Sequence, residues 1–213
     1  KNYRVKLQIL LLKVLNYLNF NMELIYTIFF CYLMGSIPFG FVLTKFILNK
    51  DIRDIGSGNI GATNALRTGN KLIGYSTLIL DILKAVVPLL YLKFNQPDLL
   101  HIGSLSAFIG HVFPVWLKFK GGKGVATYIG ILFCINYLLG FIFVCTWTVI
   151  FIIFRYSSLS SILASLSIPI FQFLFFKDEG YYFFIILFIL IFFTHRENVK
   201  RLINNTESKT KIY

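Results

Sequence analysis

VATYIGILFCINYLLGFIFVCTWTVIFIIFRY, Val125 to Tyr156, decides the architecture. It carries no charge from Val125 to Phe154. It is too long for one ordinary membrane crossing of about 20 residues and too short for two full ones. Charge counting separates the two readings. If the chain doubles back near Asn136 and Tyr137, then the loops at 49–71, 118–124 and 155–159 and the tail from 195 share one side. That side holds thirteen Lys and Arg, against Lys93 and Lys177 on the other. Read as a single crossing, the same stretch divides the basic residues eight against seven. Short loops rich in Lys and Arg stay on the cytoplasmic side, so a hairpin is predicted, with the basic loops and the tail facing the cytoplasm.

Working outward, the apolar segments are 24–48, 72–92, 99–117, 125–135, 138–154, 160–176 and 181–194. They lack the regular polar face of an amphipathic helix. Hydrophobic residues make up 57% of the 213 and charged ones 14%, where a soluble domain carries about 25% charged residues. The expectation is an all-α membrane protein with seven transmembrane helices, some short, joined by glycine-rich cytoplasmic loops. One domain is drawn over 22–207, with a cytoplasmic tail at 208–213. Residues 1–21 contain Lys1, Arg4, Lys6 and Lys13, which resist translocation in a topology that puts the amino terminus outside. Met22 directly precedes the first strong span, so 1–21 reads as an over-extended frame, with an interfacial amphipathic helix as the alternative. The formal charge of +12 fits this topology and anionic small substrates; no surface remains for a nucleic acid. Cys31, Cys134 and Cys145 form no CxxC pair, and His101, His111 and His195 are scattered. No metal is expected.

Two loops and the tail carry the chemistry. DIRDIGSGNIGATNALRTGNK, Asp51 to Lys71, combines Gly56, Gly58 and Gly61 with Ser57, Asn59, Thr63 and Asn64, a pattern suited to close backbone approach and hydrogen bonds to phosphate. A helix beginning near Asn59 would aim its free amides at the same anion and place Asn59, Thr63 and Arg67 near one face. Arg53 offers a second fork for phosphate. GHVFPVWLKFKGGKGVAT, Gly110 to Thr127, sets Lys120 and Lys123 around Gly121, Gly122 and Gly124. It reads as a second anion cradle and lacks the Walker A pattern. His111 ends a span there. In the tail, His195, Asn198 and Arg201 fall within about 120 degrees of one helix face. Asp81 and Lys84, three apart inside the second span, read as a structural ion pair.

The succession GSIPFG from Gly35, DIRDIGSGNIGATNALR from Asp51, GHVFPVWLKFKGGKGVAT from Gly110 and HRENVKRL from His195 closely resembles the acyl-phosphate-dependent glycerol-3-phosphate acyltransferases of bacteria, the PlsY family. The resemblance covers nearly all of 22–207. It implies a seven-span inner-membrane enzyme with a cytoplasmic active site and no cofactor. Such an enzyme moves an acyl chain from acyl phosphate to the 1-hydroxyl of sn-glycerol 3-phosphate. Carried over, it makes Ser36, Arg53, His111, His195 and Asn198 catalytic. Gly56, Ser57, Gly58, Asn59, Thr63, Asn64, Lys120, Gly121, Gly122, Lys123 and Gly124 would bind substrate phosphate, joined by Arg67, Arg201 and Glu207. This chain has Lys84-Ala85 where the family often has Lys-Gly, a peripheral departure.

Acyl phosphate is already activated, so direct attack by the glycerol hydroxyl is expected, with no acyl-enzyme. Its proton passes to His195, to His111 or to the leaving phosphate. The HxxxxD pattern of acyl-CoA enzymes is absent, since Ser106, Trp116 and Lys200 follow the three histidines at +5. The rival from another class is an organophosphate transporter, which should place its binding residues near the bilayer midplane.

Overall fold

The computed structural model describes residues 2–176 and 180–210, and all of its regular structure is helical. The first helix, α1, spans Asn2–Ser36 without a break. No Pro or Gly occurs before Gly35, so nothing separates 2–21 from the span that follows. At 1.5 Å per residue its 35 residues exceed the hydrocarbon core of about 30 Å. Pro38 ends it, because the residue before a proline is driven out of helical geometry. The chain resumes as α2, Phe39–Leu48.

A short helix, α3, spans Ala62–Leu66. The next, α4, spans Lys71–Asn95 and starts with Asn70 accepting a hydrogen bond from Ile73 N at 3.2 Å. Then come α5, Leu100–Val112, α6, Val125–Ile135, and α7, Tyr137–Phe154. The predicted hairpin is present. Asn136 sits in extended geometry between α6 and α7, and its side chain accepts from Leu138 N at 2.9 Å to start the return helix. The 11 residues of α6 reach only about half-way across a bilayer. Its last carbonyls have no partner within the helix and need one elsewhere. Lys93, in the last turn of α4, supplies one by donating to the Cys134 carbonyl at 2.7 Å.

The chain closes with α8, Ser157–Phe171, a π turn at Gln172–Phe176, then α9, Tyr181–Thr194, and α10, Arg196–Ile203. The last two meet at a 62° bend. Among the described residues five helical segments are long and apolar enough to cross a membrane, six if the bent pair is one span, and α6 is a shorter apolar helix. Each of the seven expected apolar segments is thus helical, but α6 falls below spanning length and α9 reaches it only together with α10, so seven full crossings are not shown. Lys1, Lys177 and residues 211–213 of the expected tail lie outside the described residues.

Two packed clusters position the site. The larger joins Phe108 of α5, Tyr128 of α6, Phe143 of α7, Ile168 of α8 and Leu187 of α9. The smaller, Ile52, Ile60, Ala65, Ile73 and Leu117, lies beneath the first glycine-rich loop. Contact between α1 and α5 depends on Gly35 and Gly110, where any Cβ would collide with the carbonyls of Ala107 and Tyr32 respectively.

Candidate active site

The loops and the tail converge on one cavity of about 900 Å³. Its polar end is walled by Ser57, Asn59, Thr63 and Arg67 from the first loop and α3, Lys123 from the second, and His195, Asn198 and Arg201 from the α9–α10 bend. Leu78 and Ile82 of α4, Ile129 and Phe133 of α6, and Val144 and Trp147 of α7 line an apolar arm.

Asn64 organises the first loop. Its Nδ2 donates to the carbonyls of Ile52, Ile55 and Asn59 at 3.1, 2.8 and 2.8 Å, and its Oδ1 accepts from Ser57 N at 2.9 Å. Both ends of the side chain are therefore committed to backbone, and the phosphate role expected for Asn64 becomes a scaffolding one. Gly56 and Gly58 take positive φ, 54° and 71°, where a side chain would be strained. The helix starts at Ala62 with Gly61 as cap, later than expected. The Asn59 carbonyl is held by Asn64 Nδ2, and Asn59 stands ahead of the helix. Asn59, Thr63 and Arg67 consequently share the cavity but not a helix face.

In the second loop, Gly121 N and Gly122 N donate to the carbonyls of Val112 and His111 at 3.0 and 3.1 Å, folding the loop back on α5. This sends Lys123 inward, where its Nζ donates to Asn198 Oδ1. Burial pulls the Lys123 ammonium down to about 8, with Glu207 opposing and the charges of Arg201 and Arg67 adding to the shift.

At the α9–α10 bend, His195 Nδ1 lies 2.8 Å from the Ile191 carbonyl. A carbonyl only accepts, so Nδ1 carries the proton and Nε2 of the neutral ring is an acceptor. Glu207 accepts at 2.6 Å from each of Ser158 Oγ, Asn198 Nδ2 and Arg201 Nε. Burial raises its carboxyl, but these three hydrogen bonds outweigh that and hold it below the usual range. Two further contacts complete a strap across the cavity: Arg67 donates to Ser208 Oγ at 2.9 Å, and Thr210 N donates to the Arg155 carbonyl at 2.9 Å.

The family model for glycerol-3-phosphate acyltransferase matches residues 25–205. The chain belongs to that family. Glycerol-3-phosphate acyltransfer is its activity, in an integral membrane protein. It is 68% identical to the glycerol-3-phosphate acyltransferase of Pelagibacter ubique (strain HTCC1062) over 85% of this chain and 95% of that one. It is 48% identical to that of Brucella canis (strain ATCC 23365 / NCTC 10854 / RM-666) over 89% and 94%. Among solved structures it is similar to PlsY, an integral membrane glycerol 3-phosphate acyltransferase, in its glycerol 3-phosphate form. The TM-score is 0.83 at 37% identity, covering 89% of this chain and 96% of that one. The lysophosphatidic acid form gives 0.80.

Within this acyltransferase the cavity corrects several expected site residues. Ser36 is fully buried, and its hydroxyl donates to the Tyr32 carbonyl one helical turn back at 2.8 Å. It packs where α1 meets α5, outside the cavity lining. Arg53 turns back on its neighbour Asp51, with Nη2 at 2.6 Å from Oδ2, and lies over the Phe41 ring at 5.1 Å. Its hydrogen bond to Asp51 raises the pKa of the guanidinium further and lowers that of the carboxyl. Lys120 is exposed, because the left-handed pair Lys118 and Phe119 turns that part of the loop outward. Gly58, Gly121 and Gly122 shape the backbone behind the lining. His111, His195, Asn198, Gly56, Ser57, Asn59, Thr63, Asn64, Arg67, Lys123, Gly124, Arg201 and Glu207 are brought together.

Ser157, Ser158 and Ser161 were missed. They present the start of α8 to the cavity, with Trp147 Nε1 donating to Ser161 Oγ at 3.1 Å. The signal was the SSLSS run opening an apolar segment, a costly placement for hydroxyls in lipid.

Proposed function

We propose that this acyltransferase takes its acyl chain from acyl phosphate and delivers it to the 1-hydroxyl of sn-glycerol 3-phosphate. The products are lysophosphatidate and inorganic phosphate, in the first acylation of phospholipid synthesis. The observation that carries this reading is the joining, in one cavity, of a cationic polar end to an apolar arm. Both substrates bear phosphate and one also bears a long chain. Arg67, Lys123 and Arg201 supply the positive charge, while Ser57, Thr63 and Asn198 supply neutral donors. The two cradles expected from the loops become two walls of one site.

With both phosphates held, the glycerol oxygen attacks the acyl carbon, the bond from that carbon to the phosphate oxygen breaks, and phosphate leaves with the electron pair. The hydroxyl proton passes to His111, to His195 or to the departing phosphate. Placement and charge neutralisation account for the rate; no covalent acyl-enzyme is required. The basic loops and tail face the cytoplasm of a bacterial inner membrane, where glycerol 3-phosphate reaches the polar end from water and the acyl chain lies in the arm beside lipid.

The test is to incubate the purified protein with palmitoyl phosphate and glycerol 3-phosphate and to assay lysophosphatidate. Product formed with acyl-CoA but not with acyl phosphate would overturn the donor. Glycerol 3-phosphate uptake into vesicles without product would favour a transporter.

A further inference from the structure

Asp81 and Lys84 form a buried ion pair, with the His111 imidazole against it, at the wall of the cavity. Lys84 Nζ stands 2.8 Å from Asp81 Oδ1, with the two side chains 1% and 3% exposed. The same Nζ donates at 2.9 Å to the carbonyl of Ile37, the residue before Pro38 at the α1–α2 break. His111 Nδ1 lies 3.8 Å from Asp81 Oδ1 and has no hydrogen-bond partner among the described residues. The other edge of the ring, at Nε2, packs on Gly122, where a Cβ would overlap it. Thr127 Oγ1 donates to the Asp81 carbonyl at 3.3 Å. One carboxylate thus stands where α4, α5, the α1–α2 break and the Lys123 loop meet.

Asp81 and His111 also line the cavity, next to Ile82. Both groups therefore face the space in which the two substrates of the proposed reaction would meet. A buried ion pair holds helices together no better than well-packed apolar residues of the same volume, so stability alone gives no reason for charges there. No carboxylate follows a histidine at the +5 spacing in the sequence, yet the fold sets one against His111 from a different helix.

We propose that Asp81 is a positioning residue for acyl transfer. Neutralised by Lys84, it fixes the His111 imidazole and, through the contact of His111 with Gly122, the reach of Lys123 into the cavity. This rests on the functional reading above.

The test is the double variant Asp81→Leu/Lys84→Met, which removes both charges together and leaves neither unpaired. It should insert in the membrane and melt near the wild-type temperature, while kcat falls at least tenfold and KM for glycerol 3-phosphate rises by a smaller factor. Adding His111→Gln should lower kcat little further, because the imidazole has already lost its orientation. A folded double variant with wild-type kcat overturns the proposal, as does a His111→Gln loss that multiplies in full with that of the double variant. If the apolar double variant does not fold, Asp81→Asn/Lys84→Gln is read by the same two criteria. A wild-type protein that forms no lysophosphatidate would instead fail the functional reading itself.

Discussion

Arg201 Nε meets Glu207 Oε2 at 2.6 Å, and this contact fastens residues 206–210 over the polar end of the cavity. The same carboxylate draws together Ser158 of α8 and Asn198 of α10. Glu207→Gln keeps the shape but loses the charge that Arg201 faces, so KM for glycerol 3-phosphate should rise roughly tenfold, on the scale of a lost charge-assisted hydrogen bond. The Arg201→Gln/Glu207→Gln pair should lose no more than the worse single variant, a coupling that steady-state kinetics of all three proteins would measure.

Lys123 sets the alkaline limit. Burial brings its ammonium to about 8, so the charge that would face phosphate is present below that pH and lost above it. The expected kcat/KM profile falls through one ionisation near pH 8, and Lys123→Arg, whose side chain stays charged, moves the fall upward. Stability should run the other way. Unfolded lysine ionises near about 10.4, so between about 8 and 10 the unfolded chain binds more protons than the folded one and stability rises with pH. Melting curves across that window that fall in step with activity would show alkaline unfolding and contradict the assignment.

Arg67 and Arg53 divide cleanly. Arg67 lines the cavity, whereas Arg53 is held by Asp51 outside its lining. Arg67→Gln is expected to lower kcat/KM by about 100-fold and Arg53→Gln by less than about threefold, the contrast expected between a guanidinium on a phosphate and an exposed ion pair. Comparable losses in lysophosphatidate formation by the two variants would show that Arg53 also reaches substrate.

Asn64→Ala removes every side-chain partner that joins Ile52, Ile55, Ser57 and Asn59. Stability should drop by about 2–4 kcal/mol, since several buried backbone groups lose partners at once. Activity should vanish with it. Asn64→Asp, which keeps the acceptor for Ser57 but loses the donors, should be nearly as damaging; thermal melting in detergent alongside the lysophosphatidate assay would check both.

Much of this enzyme was readable from local pattern. The hairpin at Asn136 followed from charge counting over short loops, because lipid excludes charge strongly enough for a few Lys and Arg to fix the path of the chain. The ion pair of Asp81 with Lys84 followed from helical spacing, since periodicity within a helix needs no partner; His195 instead stands at the α9–α10 bend, so it shares the cavity with Asn198 and Arg201 without sharing their helix. Loop assignments fared worse. Arg53 and Arg67 are the same residue type in one loop, and Lys120 and Lys123 flank one glycine pair. Yet Arg67 and Lys123 line the cavity while Arg53 and Lys120 do not.

The sequence by itself determined that the chain is a helical membrane protein of the acyltransferase family with glycine-rich basic loops, because hydropathy, helical period and motif order are properties of neighbours along the chain. The tertiary structure decided which polar groups line the cavity. Asn64 draws the first loop around itself, and the second loop folds back on α5. The start of α8 delivers Ser157, Ser158 and Ser161, and α4 brings Asp81 against His111. The last two join segments far apart in sequence, while the first two are loops closed on carbonyls 5 to 12 positions away; in both cases whether a loop side chain points inward depends on hydrogen bonds that residue type and spacing do not reveal.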